Sequence, residues 1–228
     1  MNDERGATLP AAGALADEPL SVPRLLHLSD ALQSDVVDAA GAAGTPATPR
    51  GRLATLFARV AFEHWASQRL LLRASLDVTA FALVRLQFEA VVRTAWIVEC
   101  ASHDWIERFI APQADGTLKE PTSSPTVPDM LAALAAKAPV VTGMLAQLKA
   151  DAWQPMHSYV HSGARPLAHA VTGSTEYQVS AVLRNANGLG LIAFNAFTIA
   201  CAAPALRGAV ARLQRRYQAC LPPATATG

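Results

Sequence analysis

The chain has 228 residues, of which 51% are hydrophobic and 16% charged, with a formal net charge of +1. That supplies apolar side chain for a sizeable core and excludes an intrinsically disordered chain. The near-neutral balance gives no electrostatic case for nucleic acid or an anionic membrane as an obligatory partner, while a local basic patch stays open. Abundant alanine and few β-branched runs bounded by turn residues favour helix over strand. The expected fold class is therefore all-α, a single bundle of roughly six to eight helices over residues 21–220.

Residues 1–20 hold Ala, Gly, Pro and acids without periodicity and read as a disordered tail, as do residues 221–228. Ser21 is placed to cap a first helix running to about Ala40, with Pro23 in its first turn and Leu25, Leu28, Leu32, Val36 and Ala39 on one face. A second helix is predicted from about Arg50 to Arg73, with Leu56, Val60, Trp65 and Leu72 alternating with Arg52, Arg59, Glu63 and Arg69. Leu76 to Cys100 contains neither Pro nor Gly and reads as one long helix, after which Ser102 restarts a short one.

Four prolines and a Thr-Ser-Ser-Pro cluster over residues 111–128 predict a long surface loop. Short helices are expected around Met130–Lys137 and Val141–Lys149, separated by Pro139, and another from about Asp151 to His161. Arg165-Pro166 reads as the start of a further loop. Ser174 is the expected cap of a long helix from Thr175 to about Cys201, and Pro204 opens the last one, whose Arg207, Arg212, Arg215 and Arg216 suit the helix dipole. Gly188 to Leu206 is almost wholly apolar and near bilayer-spanning length, but Asn195 interrupts it and Pro204 lies at its end. It reads as a buried central helix, and no membrane partner is expected.

Cys100, Cys201 and Cys220 form no CxxC pair, and an odd, sparse set fits free thiols in a reducing compartment. The N-terminal Met-Asn-Asp-Glu-Arg, soon followed by Pro10, lacks the basic and apolar regions of a secretory signal. A cytoplasmic location is expected.

Two constellations could carry chemistry. Arg85, Glu89 and Arg93 recur every four residues on the otherwise apolar long helix, flanked by Phe81, Phe88, Val92 and Trp96. Charges on a mostly buried helix must be paired. They form either an ion-pair network that fixes register or the floor of a polar pocket in which Glu89 acts as base or ligand and the arginines hold an anion. The second constellation is Trp153, His157 and His161 at the same spacing, beside Tyr159, Arg165 and His169. His161 sits where its helix stops, near the negative end of the dipole, where positive charge is favoured.

The His157–His161 pair supplies two metal ligands where zinc needs more, and neither HExxH nor ExxH occurs. No metal or cofactor is implied. Ser158 and Ser162 lack a nucleophile elbow, and GxGxxG and GxxxxGK[ST] are absent, so no motif names a reaction.

The run Arg85-Leu-Gln-Phe-Glu89-Ala-Val-Val-Arg93-Thr-Ala-Trp96, followed by Trp153-x3-His157-Ser-Tyr-Val-His161-Ser-Gly, resembles a family of uncharacterised bacterial all-helical proteins. More distantly it is similar to HEPN-like and abortive-infection-type helical domains. The resemblance spans about Arg50 to Arg216. It implies a helical bundle, a homodimer, and a group containing metal-independent ribonucleases and inactive relatives. In the active ones an arginine followed by a histidine does the work, and the resemblance carries that role to Arg165, His161 and His157.

The order differs here, since His161 precedes Arg165 and His169 follows it after only three residues. The expectation is therefore a binding or interaction module with a polar pocket, its ligand a protein partner or RNA. Binding would fall to Arg85, Glu89, Arg93, Trp153 and Tyr159. The alternatives are a ribonuclease-like effector of phage defence or stress response, with His157, His161 and Arg165 catalytic, and a purely structural or regulatory helical protein.

Overall fold

A computed structural model of the chain describes residues 20–111, 124–203, 206 and 208–223. Among them are nine α-helices, one above the expected range, and no strand. In chain order they are α1 (Val22–Gly41), α2 (Pro49–Arg73), α3 (Asp77–Glu99), α4 (His103–Ile110), α5 (Val127–Ala135), α6 (Pro139–Val160), α7 (Ala164–Thr172), α8 (Glu176–Ala200) and α9 (Ala209–Arg216). A short 3-10 turn, Gln218–Cys220, follows. Both expected tails fall outside the described residues, apart from Leu20 and Leu221–Pro223, as do residues 112–123 of the expected loop; Val127 and Pro128 already belong to α5.

Five local expectations are corrected. Residues 139–160 form one helix rather than two, because Pro139 sits in its first turn, where a missing N–H costs nothing. Pro155 lies inside that same helix. Arg165-Pro166 opens α7 instead of a loop, again with proline in the first turn. Ser21 occupies the N-cap position of α1 but makes no capping hydrogen bond.

The cap of α8 is Thr175, in a reciprocal capping box with Gln178, and the Ser174 hydroxyl instead donates to Asp77. On α2 the buried stripe is Leu53, Ala54, Ala58, Ala61, Trp65 and Leu72, whereas Leu56 and Val60 face solvent. Arg69 is buried and paired with Asp30 of α1 at 3.0 Å.

Helices α2 and α3 form a tight hairpin, and α8 packs against α1, α2 and α3. Burial of α8 rests on small residues. Gly190 lies directly under the Trp65 ring and Gly51 of α2 against the backbone of α8. A polar network runs through this apolar centre. Asn187 accepts from the Trp65 indole at 2.9 Å and donates to Ser29 Oγ and to the Cys220 carbonyl, each at 2.8 Å. Gln68 donates to Gln87, which in turn donates to the Ala186 carbonyl. Each buried polar group joins two elements, so the network fixes the register of α1, α2, α3 and α8. No helix among the described residues is long and apolar enough to cross a membrane. On the other side of α3 lie α5 and α6, with α7 bridging α6 and α3.

Candidate functional site

Lys149, Trp153, His157 and His161 follow one another at intervals of four along α6 and into its C-cap, so they form a single ridge. This ridge faces α3. Phe88 of α3 meets the Trp153 ring edge-to-face at 6.0 Å between centroids, anchoring the contact in the core. Arg85, one turn earlier on α3, reaches over Trp153 with its guanidinium carbon 4.2 Å from the ring centroid. Lys149 approaches the same ring, at 5.3 Å.

Arg85 is held from three sides. Its Nε donates to Glu89 Oε1 at 2.8 Å, its plane rests on Trp153, and one terminal nitrogen lies 2.6 Å from His157 Nδ1. The other terminal nitrogen makes no hydrogen bond among the described residues and is not sealed from solvent. The Arg85 side chain is 15% exposed and that of Glu89 38%, so the pair stands at the boundary between core and water. His157 and His161 are both exposed, with ring centroids 4.3 Å apart. Two helices thus hold a fixed guanidinium beside two accessible imidazoles.

The remaining expected residues do not join this group. Arg93 places its guanidinium over Phe57 of α2, 5.6 Å from the ring centroid. Eight residues on a helix is 80° more than two full turns, enough to turn Arg93 from α6 towards α2. Tyr159, two positions after His157, points to the other side of α6, where its hydroxyl lies 3.0 Å from His169 Nδ1 and its ring meets Phe81. Burial raises the Tyr159 phenol above its ordinary value of 10, against the pull of the Arg165 charge. Arg165 is exposed; its backbone N–H donates to Ser158 Oγ at 3.2 Å, which serves as the cap that Gly163 cannot provide for α7. Its side chain makes no hydrogen bond among the described residues.

Sequence reasoning left out two features. Lys149 belongs to the ridge, and its spacing from Trp153 was the available signal. The buried His169 joins the half-buried Tyr159, Asp77 and Ser174 in a separate group that pins α7 to the start of α3. His169 Nε2 lies 3.8 Å from Asp77 Oδ2, too far for a hydrogen bond, and is left without a partner. No local motif announces it, because Asp77 comes from a distant stretch of the chain and meets Tyr159, His169 and Ser174 only in the fold.

Two clefts lie elsewhere, towards the C-terminal end of α3. One of about 230 Å³ is lined by Arg50, Gly51, Val98, Ile199 and Cys201, among others. Arg50 is already committed there, donating to the Ile97 and Ala101 carbonyls at the end of α3. A smaller one is walled by Ala95, Glu99, Val141 and Asn195, among others. Neither is lined by a residue of the ridge. Among the described residues no three His, Cys, Asp or Glu side chains gather where they could hold a metal ion.

A family model described as "Family of unknown function (DUF6988)" matches residues 58–223, well over half of the chain. The chain belongs to that family. The span matched by DUF6988 takes in α3, α6 and α7, and so every residue of the ridge and its partners, while α1 lies outside it. No curated protein and no solved structure matches the chain.

Proposed function

We propose that this DUF6988 protein is a binding module that engages an anionic group at the α3–α6 face without turning it over. The observation that carries this reading is Arg85. Its guanidinium is oriented by Glu89 and Trp153, one terminal nitrogen meets His157, and the other has no hydrogen-bond partner among the described residues, in a side chain 15% exposed. A guanidinium held rigidly at the edge of the core loses little freedom on binding, and its planar donors suit an oxyanion. His161 and Lys149 extend the same ridge with two more cationic or protonatable groups.

The ribonuclease-like reading draws on the paired imidazoles alone. Arg165, to which the resemblance gives the phosphate, makes no side-chain hydrogen bond to them, and the guanidinium that does reach His157, that of Arg85, is already tied to Glu89 and Trp153. The HEPN-like kinship and the homodimer belong to this same proposal.

The test is a calorimetric titration of the protein with sulfate, with Arg85→Ala beside the wild type. Saturable binding lost in Arg85→Ala supports a binding module. A wild type that binds nothing, with Arg85→Ala melting several degrees lower, would leave the ridge as a register clamp. Cleavage of RNA that survives EDTA and is lost on His157→Ala would establish the enzyme instead.

A further inference from the structure

We infer that oxyanion binding at this face is coupled to the uptake of one proton, carried on His157; the inference rests on the binding-module reading and names how that site is regulated. A guanidinium has donors only, so the 2.6 Å contact between Arg85 and His157 Nδ1 requires Nδ1 to offer its lone pair. Nδ1 therefore carries no hydrogen while it holds Arg85. A proton on Nδ1 would set two donors and two positive charges face to face. An oxyanion that takes the place of this contact and bridges the two groups removes that conflict, because it accepts from both and is attracted by both charges. Ligand and proton thus favour each other.

The charges around His157 point the same way. On α3 stand Arg85 and Glu89, bonded to each other and close to neutral as a pair. On α6 stand Lys149, farther along the ridge, and His161, whose ring is 4.3 Å from that of His157. From α7, Arg165 lies near enough to Tyr159 for its charge to act there. A neutral Arg–Glu pair is a poor host for a dianion, and a proton on His157 adds the missing positive charge. The closeness of His161 limits uptake to one proton, since a second imidazolium beside the first is repelled. The proton comes from the buffer, and no bond of the ligand is broken.

The experiment uses sulfate as the probe, since it stays dianionic through the neutral range and brings no proton of its own. Calorimetric titrations at about pH 7.5, in buffers of different ionisation enthalpy, give the number of protons taken up. The expected result is uptake approaching one proton per sulfate, and affinity rising by up to about tenfold per pH unit as the pH is lowered, the limit for one linked proton. His157→Gln keeps an amide oxygen for Arg85 but cannot titrate, so it should bind sulfate more weakly and with no uptake, whereas His161→Gln should retain the uptake. Sulfate binding without uptake in the wild type, or uptake that survives in His157→Gln, overturns the proton linkage and leaves the binding module standing. Absence of saturable binding to the folded wild type overturns both.

Discussion

Replacing Gly190 by alanine should destabilise the bundle, although alanine is the better helix former. A Cβ at this position would lie 2.6, 2.7 and 2.8 Å from three atoms of the Trp65 ring. That ring is fully buried and its indole N–H is bonded to Asn187 at 2.9 Å, so it cannot swing aside freely. Overpacking of this kind costs about 1–3 kcal/mol. Displacing the ring also leaves the Asn187 carbonyl oxygen unpaired in the core, another ~1–3 kcal/mol.

Helix propensity returns about 1 kcal/mol. The net loss is then roughly 3 kcal/mol within a range of about 1–5. At ~2–4 °C per kcal/mol for a chain of this size, the melting midpoint should fall by roughly 6–12 °C. Thermal and urea unfolding followed by circular dichroism measure it. Gly143→Ala on α6 is the control, since nothing lies within 4 Å of its Cβ, and it should gain about 0.5–1 kcal/mol. Gly190→Ala melting with the wild type while Gly143→Ala gains would refute the close packing of α8 on Trp65.

Asn187→Ala strips partners from the Trp65 indole, Ser29 and the Cys220 carbonyl, and should lower urea-unfolding stability by roughly 2–4 kcal/mol; a loss no larger than that of Ser29→Ala would count against a shared network. Burial pushes His64 below its ordinary value of 6.5, against the pull of Glu63. The unfolded chain then binds a proton that the native state refuses, so His64 contributes stability above 6.5 that is lost as the pH falls through its folded value. The urea midpoint of the wild type should drop more between about pH 7.5 and 5.5 than that of His64→Gln, and equal drops would disprove the linkage.

Most helices were legible because their signals are local. The Leu25, Leu32 and Val36 spacing marks the buried face of α1, and the stretch without breakers marks α3. The misread points have separate physical causes. Pro139 and Pro166 look like breaks in the sequence, but proline in a first turn starts a helix as readily as it ends one. Thr175 was recognisable as a cap, because Gln178 stands at the third position where Ser174 would have Tyr177. Leu56 and Val60 misled because their period is that of a helix face, while α2 meets α3 and α8 through alanines on another face.

Within the candidate site, Arg85–Glu89 was readable from spacing, and the 153–157–161 ladder from its own. Arg93 and Tyr159 dropped out through helical geometry over one extra turn and over two residues. The pairing of α3 with α6 is a long-range contact, and no local pattern encodes which neighbour a helix will choose.

The most direct test of an anion-binding face formed by α3 and α6 is a sulfate titration of the wild-type protein followed by side-chain NMR. The account predicts saturable shifts in the His157 and His161 ring signals and in the Trp153 indole, with none in His103, which is occupied by Glu107 on the exposed face of α4. Shifts shared equally by His103, or no shift at the ridge at all, would contradict it.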